Sequence, residues 1–521
     1  MPERKYNNAL ILLIGISAVI RTFLAWSLEL GNDEVYYWTY ALYPDLSHFD
    51  HPPMVGFVIQ LFSFNLFFEN EVFLRMGSVV FGSVNIWMVY LIGKKIKDPA
   101  TGFYAALLYT SSIYGFFITG VFILPDTPQM LFWFISLYFI TDSLLRPEFD
   151  NVSRRNFIWV GVFIGFAMLS KYTSVFIWFG IVLYILIFDR KWLKTKSLYI
   201  SLIITLIIFS PVIWWNFQND FISITFQSER VDIFASSLRI DYFIMEVLGE
   251  FLYNNPVNYI LIILSLIAVY KKKSFVSNRN LRLLLLIGLP LIFVFILFSL
   301  FRRTLPHWPA PGYSTLIFVA SAYISNKYAD KKSNKIIPSE IKAALYLLAF
   351  VIIIGFIQVN FGIIRFDNPK TTEATELGES DISLDIYGWK QIGEGFTKIL
   401  QRDVKERKIK PNPVMITYRW FPAANLDYYV ASPNNIDVLA AGPIGDIHKY
   451  YWINKKRAGF YLGMDAYYIT TSRDYVNPKQ VFTRYFNKTE PADTIRIVRG
   501  GKHVMNAFVY RLTDMKRLPK Y

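Results

Sequence analysis

Long apolar segments recur along most of this chain, and they restrict its fold more than any other feature. The first begins after Arg4 and Lys5 and ends near residue 30. Ten further segments follow, at roughly 72–93, 99–119, 127–145, 157–170, 172–188, 198–215, 256–270, 283–301, 311–325 and 340–360. About 20 apolar residues are needed for a helix to cross a bilayer. Because 54% of the residues are hydrophobic and 18% are aromatic, a water-soluble fold is excluded. The sequence predicts a polytopic α-helical membrane protein with about eleven transmembrane helices and additional interfacial helices.

The first apolar segment is typical of a retained helix rather than a signal peptide. No small-residue cleavage site follows it, and the apolar run resumes after Arg21. A lipid-facing arginine at that depth would cost about 2.5 to 3.5 kcal/mol. We therefore predict that Arg21 faces the interior of the helix bundle.

The distribution of basic residues predicts the orientation in the membrane. Segment 52–68 is ambiguous, but if it lies along the interface, every large basic cluster falls on one side. These clusters are at 4–5, 94–97, 153–155, 189–196, 270–282 and 326–335. Cytoplasmic loops collect Lys and Arg, so the N-terminus is predicted to be cytoplasmic. The net charge of +15 then reflects topology, and no nucleic-acid partner is expected.

The composition changes after the last apolar segment. From about residue 361, charged and turn residues become frequent, and β-rich runs such as "PVMITY", "IDVLAAG", "AYYITTS" and "FVYRL" alternate with helical stretches. The sequence predicts a transmembrane domain over residues 1–360 and an extracytoplasmic soluble α/β domain over residues 361–521. Cysteine is absent, which excludes disulfides and thiolate metal sites.

Charged residues gather on the predicted outer face. Asp33 and Glu34 follow the first span, Asp126 lies in "LPDTP", Lys171 lies in "LSKYT", and "RRTLPHWPAP" occupies 302–311. A carboxylate at a membrane surface can act as general base toward a hydroxyl, and cations can stabilise a departing phosphate. This combination favours group transfer from a lipid-linked phosphate.

These motifs carry a family resemblance. The stretches "DEVYYW", "FDHPPM", "LPDTPQMLFW", "LSKYT" and "RRTLPHWPAPGY", in this order, resemble those of the GT-C membrane glycosyltransferases. The similar branch contains the protein mannosyltransferases and the lipid A aminoarabinose transferases. The resemblance covers roughly residues 1–360 and extends weakly into "YGWKQ", "YRWFPAANLDYYVA" and "HKYYWIN". It implies transfer of a sugar from a polyprenyl-phosphate carrier to a lipid, glycan or protein acceptor, with inversion, on the extracytoplasmic face of the bacterial inner membrane.

The resemblance also implies roles for the acidic residues. Asp33 becomes the catalytic base, with Glu34 as its closest competitor, and Asp126 becomes a second acidic residue that orients the acceptor or ligates a metal. Each has a simpler structural interpretation. Asp33 and Glu34 suit the first turn of an interfacial helix, and Asp126 before "TP" suits a helix N-cap.

The same resemblance assigns donor-phosphate binding to a set of cationic and imidazole side chains: Lys171, Arg302, Arg303, His307 and His51. Asp50, Tyr37 and Tyr172 are the candidate substrate contacts. The structural alternatives are a snorkelling lysine, arginines anchored at the interface, and a solvated loop around "FDHPP". The aminoarabinose branch has a lysine near the position of His51, so this chain departs from the pattern there.

Three questions stay open at the level of sequence. Asp33 and Asp126, with a histidine, are candidate ligands for a divalent metal, but no ligand spacing demands one. A transporter or flippase is the alternative function, although the charges gather at one face rather than the midplane and no inverted repeat is visible. A scaffold protein that recognises envelope glycan is a further alternative, and it leaves the clustered carboxylates unexplained.

Overall fold

The computed structural model describes residues 3–146, 148–232, 237–329, 336–364, 366 and 374–519. The chain forms two compact units. The first comprises Met1–Ala25 and Pro44–Val351, and the second comprises Trp26–Tyr43 and Ile352–Tyr521. The second unit therefore combines a short segment after the first helix with the C-terminal third of the chain.

Helices make up nearly all of the regular structure up to residue 361. In chain order they are α1 (Glu3–Ser27), α2 (Asn32–Leu42), α3 (Met54–Phe62), α4 (Glu71–Ile96), α5 (Pro99–Ser111), α6 (Asp126–Leu144), α7 (Asn151–Ser170), α8 (Val175–Phe188), α9 (Lys196–Gln218), α10 (Ile222–Val231), α11 (Ile240–Tyr253), α12 (Pro256–Tyr270), α13 (Asn278–Ser299), α14 (Ala310–Ala329) and α15 (Ser339–Phe361). Six of them are long and apolar enough to cross a membrane. The number rises to seven if α11 and α12, which bend by 101° at their junction, form one broken span. The chain is a multi-pass membrane protein, as predicted.

The ambiguous segment 52–68 forms only the short helix α3. Its nine residues extend for about 13 Å, which is less than half of a hydrocarbon core. Helix α3 is therefore too short to cross a bilayer.

Arg21 lies inside the first unit with none of its surface exposed. Its Nη2 donates to the carbonyl of Gly115 at 2.9 Å, and its guanidinium lies 5.0 Å from the centre of the Phe116 ring. A Cβ atom on Gly82 or Gly120 would lie within 3 Å of the guanidinium, so these glycines provide the space that it occupies. The prediction that Arg21 faces the interior is confirmed.

The second unit contains a five-stranded mixed sheet in the order β2-β1-β3-β5-β4. The strands are β1 (Val414–Thr417), β2 (Val438–Ala440), β3 (Ala466–Thr471), β4 (Phe486–Arg499) and β5 (Lys502–Met515). The helices are α16 (Trp389–Lys405), α17 (Trp420–Leu426), α18 (Ile444–Ile447), α19 (Tyr450–Lys456) and α20 (Pro478–Phe482). Strand β1 is parallel to β2 and β3, whereas β5 is antiparallel to β3 and β4. Four strands lie at the four β-rich runs read from the sequence.

Helix α2 belongs to this second unit through contacts with residues far away in sequence. The backbone N–H of Leu30 donates to the hydroxyl of Tyr429 at 2.6 Å, and the N–H of Trp389 donates to the carboxylate of Glu29 at 2.7 Å. The segment that precedes α2 is thereby fixed to elements encoded nearly 400 residues later.

Candidate active site

A buried ion pair joins Asp126, the first residue of α6, to Lys171, which lies between α7 and α8. Lys171 Nζ donates to the two carboxylate oxygens at 2.9 and 2.8 Å, and the Tyr114 hydroxyl donates to Oδ1 at 2.9 Å. The two charged side chains are only 6% and 3% exposed. Removing one partner of such a pair leaves the other as an uncompensated buried charge, which is strongly destabilising. Each side chain therefore depends on the other for its buried position.

The predicted cap at Asp126 is wrong. Pro125 occupies the N-cap position of α6 without a side-chain cap bond, and the Asp126 carboxylate accepts from Lys171 and Tyr114 instead. The charge-assisted hydrogen bond from the Lys171 ammonium group is stronger than a bond from a backbone N–H at the helix terminus, so the carboxylate accepts from Lys171 and Tyr114 instead of capping α6.

The chain breaks its helical path at Lys171 for a local reason. Helix α7 ends at Ser170, and Lys171 takes an extended conformation with φ −155° and ψ 133°. A short 3-10 turn over Tyr172–Ser174 then leads into α8, and the Ser174 hydroxyl donates back to the carbonyl of Ala167 at 2.9 Å. This break turns the Lys171 side chain toward Asp126.

His51 and His307 lie within electrostatic range of this ion pair. Burial lowers the pKa of each imidazole to about 4, although the carboxylate of Asp50, 3.9 Å from His51 Nε2, acts in the opposite direction on His51. Both rings are therefore neutral near pH 7 and can donate or accept one hydrogen bond without adding charge.

A cavity of about 470 Å³ lies beside these residues. Its polar side includes His51, Lys171 and Arg230, and most of the remaining lining is apolar or aromatic. The lining residues are His51, Lys171, Tyr172, Thr173, Val175, Phe176, Ser223, Ile224, Gln227, Ser228, Arg230, Val231, Val294, Phe295, Phe298 and Trp308. A pocket of this size and composition suits an amphipathic ligand with an anionic head and an apolar tail.

Helix α10 supplies Arg230 and fixes the loop that carries His51. Ser223 donates to the carbonyl of His48 at 2.8 Å, and Gln227 donates to the carbonyl of Asp50 at 2.6 Å. The Arg230 guanidinium lies 4.6 Å from the centre of the Trp308 ring. The sequence analysis did not single out α10 or Arg230. The signal was the spacing of polar residues at 223, 227 and 230, which places them on one helical face.

The two arginines predicted from "RRTLPHWPAP" lie elsewhere. Arg302 is half-buried, and its Nε donates to the carbonyl of Asp232 at 2.8 Å, whereas Arg303 is exposed. Neither is among the described residues that line the cavity. Arg230 is the arginine that the structure places there.

The remaining candidates, Asp33, Glu34 and Tyr37, lie on α2 in the second unit. Glu34 is buried, and its Oε2 accepts from the N–H of Gly31, the N-cap residue of α2, at 2.9 Å. Asp33, in the same first turn, is exposed. Tyr37 is buried against Tyr36 and Tyr40, with ring centroids 5.7 and 5.3 Å away. Asp33 and Glu34 thus both lie in the first turn of α2, where the structural interpretation of these residues placed them.

Within the described ranges, no group of three or more His, Asp or Glu side chains is close enough to hold a metal ion. Both oxygens of Asp126, one of the two candidate ligands, accept from Lys171.

Comparison with known proteins agrees with these observations. Residues 50–215 match the family model of dolichyl-phosphate-mannose-protein mannosyltransferases. The lipid A galacturonosyltransferase RgtD of Rhizobium johnstonii is 23% identical over 214 residues, which cover 39% of this chain and 43% of the relative. The match thus spans less than half of the length of that curated relative.

The fold is shown by solved structures. ArnT from Cupriavidus metallidurans in the apo state matches with a TM-score of 0.58 and 13% identity, covering 96% of this chain and 98% of ArnT. The same protein bound to undecaprenyl phosphate matches with a TM-score of 0.56 and 14% identity, covering 95% of this chain and 97% of ArnT. The predicted resemblance to the GT-C membrane glycosyltransferases is confirmed at the level of the fold.

Proposed function

We propose that this protein, which has the fold of ArnT, is an integral membrane glycosyltransferase. It transfers a sugar from a polyprenyl-phosphate donor to a lipid, glycan or protein acceptor on the extracytoplasmic face, with inversion. The observation that carries this proposal is the cavity of the first unit, where apolar walls meet Lys171, Arg230 and His51. The similarity to glycosyltransferases and to a structure of ArnT bound to undecaprenyl phosphate supports it over the transporter alternative.

The donor phosphate binds at the polar side of the cavity. Arg230 and Lys171 supply positive charge there, and the neutral ring of His51 supplies a hydrogen bond. We assign the same role to His307, which is not among the described residues that line the cavity but lies within electrostatic range of Lys171 and His51. Because Asp126 neutralises Lys171 in the structure, an incoming phosphate competes with this carboxylate for the ammonium group. Asp126 thus orients Lys171 and is released to orient the acceptor. Arg302 and Arg303, which do not line the cavity, are assigned a weaker electrostatic attraction for the donor phosphate.

Asp33 is the proposed base. Its carboxylate takes the proton of the acceptor hydroxyl, the acceptor oxygen forms a bond to the anomeric carbon, and the bond from that carbon to the phosphate oxygen breaks. The electron pair of the broken bond stays on the polyprenyl phosphate, and attack opposite to the leaving group inverts the configuration. The exposure of Asp33 supports this role over Glu34, which is buried. Asp50, Tyr37 and Tyr172 complete the proposed substrate contacts.

The topology is part of the proposal. Helices α1, α4 to α9 and α12 to α15 lie at the eleven predicted apolar segments, and we assign each one span. The N-terminus is then cytoplasmic, residues 361–521 form an extracytoplasmic domain, and the protein resides in the bacterial inner membrane. Lipid A, the acceptor named for the curated relative, is the first acceptor to test.

The decisive experiment measures transfer of radiolabelled sugar from a panel of undecaprenyl-phosphate sugars to lipid A and to envelope extract. Wild type is compared with Asp33→Asn, and Asp45→Asn, which changes a carboxylate in the segment after α2, serves as a control. General base catalysis contributes about 10² to 10⁴ in rate, so Asp33→Asn should lose at least a hundredfold and Asp45→Asn little. Equal rates in all three proteins would remove Asp33 from the mechanism. Absence of transfer with every donor, together with donor flux in proteoliposomes, would establish the transporter instead.

A further inference from the structure

A small cavity of about 50 Å³ lies in the second unit and shares no residue with the cavity of the first unit. We call it the strand-end pocket. Among its lining residues, Tyr468, Thr470 and Thr471 are buried, whereas Arg419 and Asp474 are exposed. The pocket thus has an uncharged floor and two opposite charges at its rim. The other lining residues are Tyr418, Phe421 and Pro422.

The order of the strands explains the position of the pocket. Strand β1 lies between β2 and β3 and is parallel to both, and β2 precedes β3 in sequence. The chain therefore leaves β1 toward one side and later returns on the other, which makes the carboxyl ends of β1 and β3 a topological switch point. Arg419 follows the end of β1, and Asp474 follows the end of β3. Ligands of α/β sheets bind outside the carboxyl ends of the strands at such a point.

Threonines near the two strand ends hold the loops that carry these charges. The Thr417 hydroxyl donates to the carbonyl of Arg419 at 2.8 Å and accepts from the N–H of the same residue at 3.2 Å. The Thr470 hydroxyl donates to the carbonyl of Asp474 at 3.2 Å and accepts from the N–H of Val476 at 3.1 Å. Within the described ranges, the side chains of Arg419 and Asp474 form no hydrogen bond themselves. The backbone therefore positions both charged groups and leaves their polar atoms available to a ligand.

This mixture of side chains favours a sugar over an ion. A simple anion would meet the carboxylate of Asp474, and a simple cation would meet the guanidinium of Arg419. A sugar hydroxyl both donates and accepts, so neighbouring hydroxyls can pair with the guanidinium and the carboxylate at the same time. The rings of Tyr418, Phe421 and Tyr468 provide apolar surface for the C–H groups of a sugar ring.

The size of the pocket limits what it holds. At about 10 to 15 Å³ for each water molecule, it has room for roughly four. This space suits one edge of a single sugar ring with its hydroxyl groups, and it is too small for an oligosaccharide.

We propose that the strand-end pocket binds one sugar residue of the acceptor. Arg419 donates to one ring hydroxyl, and Asp474 accepts from a neighbouring one. This inference rests on the proposed glycosyltransferase function and narrows its acceptor to a molecule that carries sugar. The donor has a different site, because the cavity assigned to it is lined by residues of the first unit alone.

The test measures binding of free sugars to the purified full-length protein in a detergent without a sugar headgroup. Saturation-transfer NMR detects binding of glucose, galactose, mannose and N-acetylglucosamine, and phosphorus NMR detects binding of inorganic phosphate. The variants are Arg419→Gln and Asp474→Asn, each of which removes one charge at similar size. Thermal unfolding verifies that the variants are folded.

Arg484→Gln is the matched control. Arg484 is exposed, and its guanidinium lies 4.7 Å from the centre of the ring of the adjacent Tyr485. Arg419 has the same arrangement with the adjacent Tyr418, at 5.2 Å. Arg484 does not line the strand-end pocket.

We expect at least one sugar to bind wild type and Arg484→Gln equally. Both pocket variants should weaken that sugar about tenfold or more, because each loses a hydrogen bond to a charged group. In transfer assays the same variants should raise the KM for the acceptor and leave the KM for the donor unchanged.

Three results would overturn the inference: no sugar binds wild type, sugar binding is equal in all four proteins, or phosphate binds in place of sugar and is lost in Arg419→Gln. Failure of the proposed function gives a different pattern. In that case no donor supports transfer, while sugar binding and its loss in the two pocket variants persist.

Discussion

At the scale of single residues, the ion pair between Asp126 and Lys171 has two effects that a single substitution cannot separate. Lys171→Gln removes a cation from the cavity and also leaves the carboxylate of Asp126 buried without its counter-charge. Loss of one partner of a buried pair costs about 3 to 5 kcal/mol. We expect Lys171→Gln to lower both the melting temperature and donor binding. A melting temperature equal to that of wild type would show that the pair is not closed in the membrane.

The double variant Asp126→Asn, Lys171→Gln separates these effects. Without any charge in the pair, the desolvation penalty disappears, so the melting temperature should rise toward that of wild type. Binding of undecaprenyl phosphate should stay weak because the cation is absent. Restoration of binding together with stability would mean that Lys171 contributes only to the fold. The measurements are thermal unfolding and binding in the same detergent.

The two histidines predict a pH dependence of stability. Burial lowers the pKa of His51 and His307 to about 4, compared with about 6.5 in an unfolded chain. Below pH 6.5 the unfolded chain binds protons that the folded protein does not, so stability is complete above this pH and is lost as the pH falls toward 4. The melting temperature of His307→Gln should fall less steeply over this window than that of wild type. Parallel curves would indicate that His307 titrates normally in the folded protein.

Single residues could be predicted where their chemistry is unusual for their place in the sequence. Arg21, Asp126 and Lys171 are charges in or beside apolar segments, and the structure buries all three. Arg230 was not predicted, because an arginine in a polar stretch between two spans is ordinary. Arg230 becomes a candidate only because it lines the cavity, and the cavity forms where α8, α10 and α13 pack together.

At the scale of elements, α10 fixes the loop that carries Asp50 and His51. Replacing Gln227 by Ala removes the donor to the Asp50 carbonyl, which lies 2.6 Å away. We expect the loop to loosen, so that the KM for the donor rises several-fold with a smaller change in kcat. Thr225→Ala is the matched control, since Thr225 lies on the exposed side of α10. The same change in kinetics for both variants would indicate a general effect on the helix rather than on the loop.

Strand β4 shows why some elements escape sequence analysis. Strands β1, β2, β3 and β5 coincide with apolar runs, because β1 to β3 are buried and β5 lies between two neighbours. Strand β4 lies at the edge of the sheet, pairs with β5, contains Pro491 and exposes many of its side chains. An edge strand with one open side tolerates proline and polar residues, so its sequence lacks the pattern of a buried strand.

At the scale of the whole molecule, hydropathy predicted the helices but not the division of the chain into units. The apolar composition of each segment is a local property of the sequence, so the helices at those segments could be predicted without knowledge of the rest of the chain. The assignment of residues 26–43 to the second unit depends on contacts such as that between Leu30 and Tyr429, whose positions differ by 399 residues. No local pattern contains that information.

This division makes a prediction about domain exchange with a related glycosyltransferase. We expect the second unit to influence the choice of acceptor, so replacing it should change the acceptor and leave the carrier lipid unchanged.

The replacement must include both 26–43 and 352–521, because the hydrogen bonds from Leu30 to Tyr429 and from Trp389 to Glu29 connect the two segments. A chimera that exchanges only 361–521 should melt at a lower temperature, since its buried polar groups lose their partners at about 1 to 3 kcal/mol each. The measurements are thermal unfolding and transfer to two acceptors from one undecaprenyl-phosphate sugar. If the two chimeras are equally stable, residues 26–43 are not part of the second unit; if the stable chimera keeps the original acceptor, acceptor choice resides in the first unit.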